Sequence, residues 1–273
     1  MKMNVNFENR PKKTGQGYIE RDGEKIYFES TGEGPAIVFG HGLGGSHAIF
    51  FQQVPELAKY YRVITFDQRG FGNSTNIYEK HSPHTAAEDM KAILDHLNIE
   101  KAHLVGQSMA GWCMLDFGMN YPERTLSIVF SNSLAGIYTD EIKHFYDIPA
   151  PRPPVTSLPL GKHFGLADSF YDRKPEIAFL YVQIGSICPK PPANMRVLIR
   201  ETFFSVDQVN DLNKKVPMLF CTGSEDITFP PEQIQKLHEL IVGSQIQVFE
   251  GTAHSPYYEL PEEYNEVIKS FCV

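Results

Sequence analysis

The stretch that most constrains this chain runs from Ala102 to Gly111, reading Ala-His-Leu-Val-Gly-Gln-Ser-Met-Ala-Gly. A short apolar strand, Ala102 to Val105, meets the turn Gly106-Gln107-Ser108-Met109-Ala110, and a helical pattern follows at once. This is the layout of a nucleophile elbow, with Ser108 at the apex of a strained strand-to-helix turn. A serine held in an unfavourable backbone geometry needs small residues two positions before and after it, so that the chain doubles back without a clash. Gly106 and Ala110 meet that need, and Gly111 adds room where the helix leaves the sheet. The commoner pattern has glycine where this chain has Ala110. On its own the pentapeptide reads equally as a serine in a βα turn, so its context decides.

The context is an alternation of strand and helix patterns. Gly17 to Ser30 reads as a hairpin turning at Asp22-Gly23. From Pro35 onward, Ala36 to Phe39 reads as a buried strand, roughly His47 to Lys59 as a helix, and Arg62 to Phe66 as the next strand. Thr85-Ala86-Ala87-Glu88 fits a capping box, after which Met90, Ile93, Leu94 and Leu97 mark one helical face. The elbow helix stops near Tyr121-Pro122, and Leu126 to Phe130 is another strand. Alternation returns with a strand at Pro217 to Cys221, a helix at Pro231 to Ile241 and a last strand at Ile246 to Phe249. Tyr264, Val267, Ile268 and Phe271 give a closing helix its apolar face. Such alternation implies an α/β fold with a mainly parallel central sheet and helices on both faces.

Between Leu134 and Lys214 the regularity fails. Eight prolines (149, 151, 153, 154, 159, 189, 191 and 192) break a stretch rich in phenylalanine and tyrosine, with short helices expected at Glu176 to Ile187 and Ala193 to Phe204. The chain therefore divides into a core part, residues 1–133, a helical cap or lid inserted at 134–214, and a second core part, 215–273.

Two more segments join the elbow. The strand at Met218 to Cys221 runs into Gly223-Ser224-Glu225-Asp226, and the last strand runs into Gly251-Thr252-Ala253-His254. Ser108, Asp226 and His254 thus each fall just past the C-terminal end of a predicted parallel strand, the edge where such sheets place their sites. The residue types suit nucleophilic catalysis. A serine hydroxyl needs a base, a neutral imidazole can serve near pH 7, and a carboxylate fixes the imidazole's tautomer. Glu225 neighbours the acid and replaces Asp226 only if the turn slips by one residue.

With these motifs the chain resembles the α/β-hydrolase-fold superfamily, in its single-chain, helically capped serine esterase and lactonase branch. The resemblance rests on Gly40-His41-Gly42-Leu43-Gly44-Gly45, Asp67-Gln68-Arg69-Gly70-Phe71-Gly72-Asn73-Ser74, the elbow, Asp226, and His254 to Pro261. It covers nearly the whole chain outside the insertion. It implies a Ser108–His254–Asp226 triad and an oxyanion hole made by the backbone N–H groups of Leu43 and Met109. The implied substrate is a small-molecule ester or lactone of small to medium uncharged acyl groups, cleaved through an acyl-enzyme. No cofactor and no metal are implied. The same superfamily contains C–C bond hydrolases and cofactor-free peroxidases, which remain alternatives. So does a ligand receptor that keeps the triad and uses occupancy to move the lid. Epoxide hydrolases and haloalkane dehalogenases use an aspartate nucleophile, so Ser108 argues against both.

Other readings compete locally. Gly40, Gly42 and Gly45 also satisfy G-x-G-x-x-G after a strand, and Asp67 ends the next strand, as in an NAD-dependent oxidoreductase. That reading leaves Ser108, Asp226 and His254 unexplained. Asp67 and Arg69 read as a structural pair bracing their loop. His81 and His84 have no carboxylate or cysteine completing a metal set. Trp112 and Met114 read as core. Phe164, Phe170, Tyr171, Phe179 and Tyr181 serve equally a binding cavity or the cap's own core. Across all 273 residues the formal net charge is −8 with no basic run, which argues against a nucleic-acid or anionic-membrane partner. The polar stretch Met1 to Gln16 lacks the apolar core of a signal peptide, and Cys113, Cys188, Cys221 and Cys272 show no paired spacing. A cytoplasmic protein, monomeric or homodimeric, is expected.

Overall fold

A computed structural model describes residues 11–77, 79–147, 158–189 and 202–273. Among them, eight strands form one sheet: β1 (Lys13–Arg21), β2 (Glu24–Thr31), β3 (Ala36–Gly40), β4 (Arg62–Phe66), β5 (Ala102–Gln107), β6 (Thr125–Ser131), β9 (Met218–Gly223) and β10 (Gln245–Phe249). A separate pair joins β7 (Ile137–Tyr138) to β8 (Phe204–Ser205). The order across the large sheet is β1-β2-β4-β3-β5-β6-β9-β10. The first two strands pair antiparallel through a two-residue turn in which Asp22 and Gly23 both have positive φ, 56° and 80°. That turn geometry matches the natural twist of a hairpin. β2 meets β4 antiparallel, and every pairing from β4 onward is parallel.

Each central strand feeds two cores, because side chains alternate across a sheet. Val38, Ile64, Leu104 and Phe130 pack with Met90, Ile93, Trp112 and Phe117 on one face. Ile37, Phe39, Val63, Val105 and Val129 pack with Leu57, Tyr264 and Ile268 on the other. Burial on both faces explains why β3 reads as an unbroken apolar run rather than an alternating one. From β3 the chain moves outward to β4 on one side; from β5 it moves to β6 on the other. The crevice beyond the ends of β3 and β5 is therefore the point where strand order reverses, the usual ligand position in open α/β sheets.

Two local expectations are corrected. The predicted helix from His47 to Lys59 is a 3₁₀ turn at His47–Phe50 followed by a single helical turn, Val54–Leu57. Pro55 opens that second turn and has no N–H to continue a helix from the first. The helix expected to start at Thr85 begins at Pro83, with Ser82 as its cap accepting the Thr85 N–H at 3.0 Å. Proline at the first helical position loses nothing, since that N–H has no partner within the helix. The helix expected at Ala193 to Phe204 lies mostly outside the described residues, and Phe204 itself is in β8. The other expected insertion helix is present as Pro175–Ser186.

Helix Ala110–Asn120 lies unusually close to the sheet, and glycines make that possible. A Cβ on Gly106 would sit 2.8 Å from the backbone of Ala110 and Gly111. A Cβ on Gly40 would meet the Ala110 methyl at 2.7 Å and the Met114 terminal methyl at 2.6 Å. Ala110, the departure from the commoner glycine, therefore fits because residue 40 has no side chain. Gly40→Ala should destabilise the protein by about 1–3 kcal/mol through overpacking. Ala110→Gly alone should cost up to about 1 kcal/mol in helix propensity. Combined, the two should cost clearly less than their sum, a coupling that urea unfolding of the four proteins reads directly.

Candidate active site

Ser108 has φ of +50°, in the left-handed region that L-residues other than glycine seldom occupy. Its neighbours hold it there. The Ser108 N–H donates to the Ser131 carbonyl at 2.8 Å, and the Ser133 hydroxyl donates to the Ser108 carbonyl at 2.6 Å. Gly111 is needed because a Cβ there would lie 2.1 Å from the Ser133 Oγ. The room that Gly111 provides is thus filled by the serine that satisfies the elbow's own carbonyl.

Asp226 and His254 are brought together in the turns beyond β9 and β10. His254 Nδ1 lies 2.8 Å from Asp226 Oδ2, with both residues buried. The same oxygen accepts from Asn132 Nδ2 at 2.8 Å, and Oδ1 accepts the N–H groups of Thr228 at 2.7 Å and Phe229 at 3.3 Å. Burial alone would disfavour the Asp226 carboxylate. The imidazole charge of His254 and the surrounding donors outweigh it, and the carboxyl is held below its ordinary range. Asp226 therefore remains anionic and aligned on Nδ1. Glu225 is exposed and its N–H is bonded to the Thr252 carbonyl, so the turn register favours Asp226. Among the described residues no hydrogen bond joins the Ser108 hydroxyl to the His254 ring.

Sequence reasoning missed Asn132. It follows β6 with φ of +50°, is fully buried, and spans from Asp226 to the Ala253 carbonyl at 3.3 Å. The run Ser131-Asn132-Ser133 thus touches both the elbow and the acid. Its signal is faint: a polar triplet closing an apolar strand, where buried polar groups must find partners.

The loop after β3 is braced by a second polar network. The Gln68 N–H donates to His41 Nε2 at 3.1 Å, so Nδ1 carries the ring proton and donates to the Gly42 carbonyl at 2.8 Å. Burial pushes the His41 pKa below its usual value, against the pull of Asp67, which keeps this ring neutral. Gln68 Nε2 returns to the His41 carbonyl at 3.0 Å. Gly42 approaches so closely that a Cβ would lie 2.0 Å from Gln107 Oε1 and 3.1 Å from Ser108 Cβ. Gln107 Nε2 in turn donates to the His254 carbonyl at 3.2 Å. The backbone of Leu43 and that of Met109, which begins the elbow helix, flank this approach.

Asp67 and Arg69 do not pair with each other. Asp67 accepts the His47 N–H at 2.6 Å, His47 Nδ1 at 2.9 Å and the Asn73 N–H at 2.8 Å. Arg69 makes a buried two-pronged contact with Asp89, 2.7 Å on each prong. Both brace their loop, but with other partners than each other. The dinucleotide reading fails on the same residues. The glycines run into a 3₁₀ turn rather than a long helix, and the Asp67 carboxylate is fully engaged.

Among the described residues His81 is buried without a hydrogen-bond partner, its pKa pushed down to about 4 by burial, whereas His84 pairs with Asp116 at 2.9 Å. Among the described residues no group of three metal-ligating side chains occurs. Trp112 and Met114 are core residues, as expected. Phe170 packs against Tyr258, while the Tyr181 hydroxyl lies 2.9 Å from Ser255 Oγ, beside His254. The four cysteines are free. No described helix is long and apolar enough to cross a membrane.

Comparison with known proteins agrees with this architecture. Residues 35–154 match the family described as the alpha/beta hydrolase fold. The chain is 29% identical over 262 residues to 3-oxoadipate enol-lactonase 1 of Acinetobacter baylyi, covering 92% of this chain and 94% of that protein. It is 28% identical over 276 residues to the pimeloyl-[acyl-carrier protein] methyl ester esterase of Aeromonas hydrophila, covering 90% and 98%. A thermophilic esterase from Thermogutta terrifontis superposes with a TM-score of 0.79 at 24% identity, over 94% of this chain and 97% of that one. The chain has the α/β-hydrolase fold.

Asp67 offers a test of the loop bracing. Burial opposes its ionisation, yet the His47 hydrogen bond and the Asn73 N–H leave its pKa lowered. A lowered folded-state pKa contributes stability that is full above the unfolded value of about 3.9 and is lost as pH falls through the folded value. Asp67→Asn should therefore cost on the order of 1–3 kcal/mol at pH 7. The gap to wild type should narrow as melts are repeated toward about pH 2.

Proposed function

We propose that this chain is a serine hydrolase that cleaves carboxylic esters or lactones through an acyl-enzyme. The observation that carries the reading is the buried Asp226–His254 hydrogen bond of 2.8 Å, tied through the Ser131–Ser133 run to the strained Ser108. The similarity to an enol-lactonase and to a methyl ester esterase supports the same substrate class.

In this mechanism His254, its tautomer set by Asp226, takes the Ser108 proton as Oγ attacks the carbonyl carbon. The backbone N–H groups of Leu43 and Met109 hold the resulting oxyanion. The tetrahedral adduct collapses, the carbonyl reforms, and His254 gives its proton to the departing alkoxide. In a lactone that alkoxide stays tethered to the acyl group. Water then attacks the acyl-enzyme with His254 again as base, and the acid is released with Ser108 restored. Serine–histidine hydrogen bonds are often long before substrate binds, so this geometry tightens in the complex.

The insertion at 134–214 acts as a cap. In support, Gly185 of helix Pro175–Ser186 comes against the Gly44 carbonyl of the β3 loop, and Tyr181 reaches Ser255 beside His254. A roof there excludes water and strengthens the oxyanion hydrogen bonds. Its apolar and aromatic surface fits small to medium uncharged acyl groups.

Ser108→Ala should lower kcat on p-nitrophenyl esters or lactones by about 10⁴–10⁶-fold with the fold intact. More than a few per cent of the wild-type rate, with contamination ruled out, would remove Ser108 from the mechanism. Asp226→Asn should lower kcat strongly with little change in KM, and Glu225→Gln should be nearly silent. The reverse ranking would move the acid to Glu225.

A further inference from the structure

One buried carboxylate bridges the turn that carries His254 and the inserted segment. Glu259 lies on the short helix Pro256–Glu259 and is 2% exposed. Its Oε1 accepts the N–H of Ala253 at 2.8 Å, and its Oε2 accepts the N–H of Ala167 at 2.8 Å. Ala253 immediately precedes His254, while Ala167 is the cap residue of helix Asp168–Arg173 and has no side-chain acceptor of its own there. Two neighbouring contacts run the same way. Tyr181 Oη lies 2.9 Å from Ser255 Oγ, and Tyr258 Oη donates to the Ile177 carbonyl at 2.7 Å. Residues 253–259 are thus one place where the insertion docks, and Glu259 alone among these contacts bonds the backbone on both sides.

This geometry couples two motions. If Ala167 moves away, Oε2 is left buried without its donor, a loss comparable to any unsatisfied buried polar group. The carboxylate must then follow, and Oε1 pulls on the peptide next to His254. We propose that Glu259 is a positioning residue that sets the seating of the cap and the position of His254 together, so that the base is aligned only when the cap is seated. The inference rests on the reading of His254 as the base and of 134–214 as a cap.

The bridge also carries a pH dependence. Burial pushes the Glu259 carboxyl up to about 7, against the two backbone N–H groups. Of the charged groups facing it, Glu225 beyond β9 adds to the rise and Arg173 of the insertion opposes it. Tyr181, its phenol pushed up by burial, faces it uncharged. A pKa raised in the docked state means that docking is favoured fully below the free-carboxyl value of about 4.3 and is weakened as pH rises through about 7. The latch should therefore loosen toward alkaline pH.

Amide hydrogen exchange, corrected for intrinsic rates, tests this in the wild-type protein. Protection of the Ala253 and Ala167 amides should fall together by tenfold or more between pH 5 and pH 8, while core amides such as Val38 and Leu104 do not change. In Glu259→Ala, which removes both acceptors, both amides should exchange faster at pH 5 and lose the pH step. Labelling of Ser108 by a fluorophosphonate should slow about tenfold in that variant. If only one of the two amides responds, or if both loosen while labelling keeps its wild-type rate, the coupling is wrong. A wild-type protein that takes no label at Ser108 would instead overturn the hydrolase reading, and the paired amide response would still decide whether Glu259 joins the two segments. Should the variant fail to fold, the wild-type pH series decides alone.

Discussion

A serine held in left-handed backbone geometry at the end of a fully buried strand is the constraint from which most of this structure follows. Such a conformation costs of the order of 1–3 kcal/mol, roughly what burying one aliphatic side chain returns. A single contact could therefore offset it, yet the chain surrounds Ser108 with several. Its N–H and carbonyl are both taken by the Ser131–Ser133 run, and the glycines at 40, 106 and 111 let the following helix press against the sheet. The strain is stored because the surroundings leave the serine nowhere else to go.

Around that point the protein buries polar groups that a stability argument alone would avoid. Asp226, His254, Asn132, His41 and Asp67 all lie out of water. Each oxygen of Asp226 and Asp67 named above has at least one donor, and His41 uses both ring nitrogens. Low dielectric makes satisfied networks of this kind stiff and unsatisfied ones costly. Two such networks, one behind Asp226 and one behind the β3 loop, meet at Gln107, which lies against Gly42 and donates to the His254 carbonyl. The candidate site is thus held from both sides of the strand-order reversal.

Much of this was legible in the sequence because it is written in local periodicity. Apolar runs marked β3, β9 and, but for His103, β5 within a residue or two, and polar turns after β5, β9 and β10 held Ser108, Asp226 and His254. What escaped depends on single atoms or on distant partners. Pro55 split an apparently continuous helix after Phe50, and Ser82-Pro83 outcompeted Thr85 as a helix start. Asn132 and Glu259 carry no local pattern, since their partners lie 94 and 121, and 92 and 6, residues away. Arg69 looked paired to its near neighbour Asp67, but its guanidinium finds a better two-pronged fit in Asp89, twenty residues on.

The contact between Gly40 and Ala110 has a meaning for descent as well as for packing. With glycine at position 110, an alanine at position 40 would still face the Met114 methyl but no longer a second fixed methyl. With Ala110 in place, that route is closed at both contacts. The order in which changes arrive therefore matters: whichever position acquires its methyl first restricts the other. Alanine in the elbow thus excludes a side chain at the end of the neighbouring strand, where Gly40 pairs with Gly106 two residues before the serine.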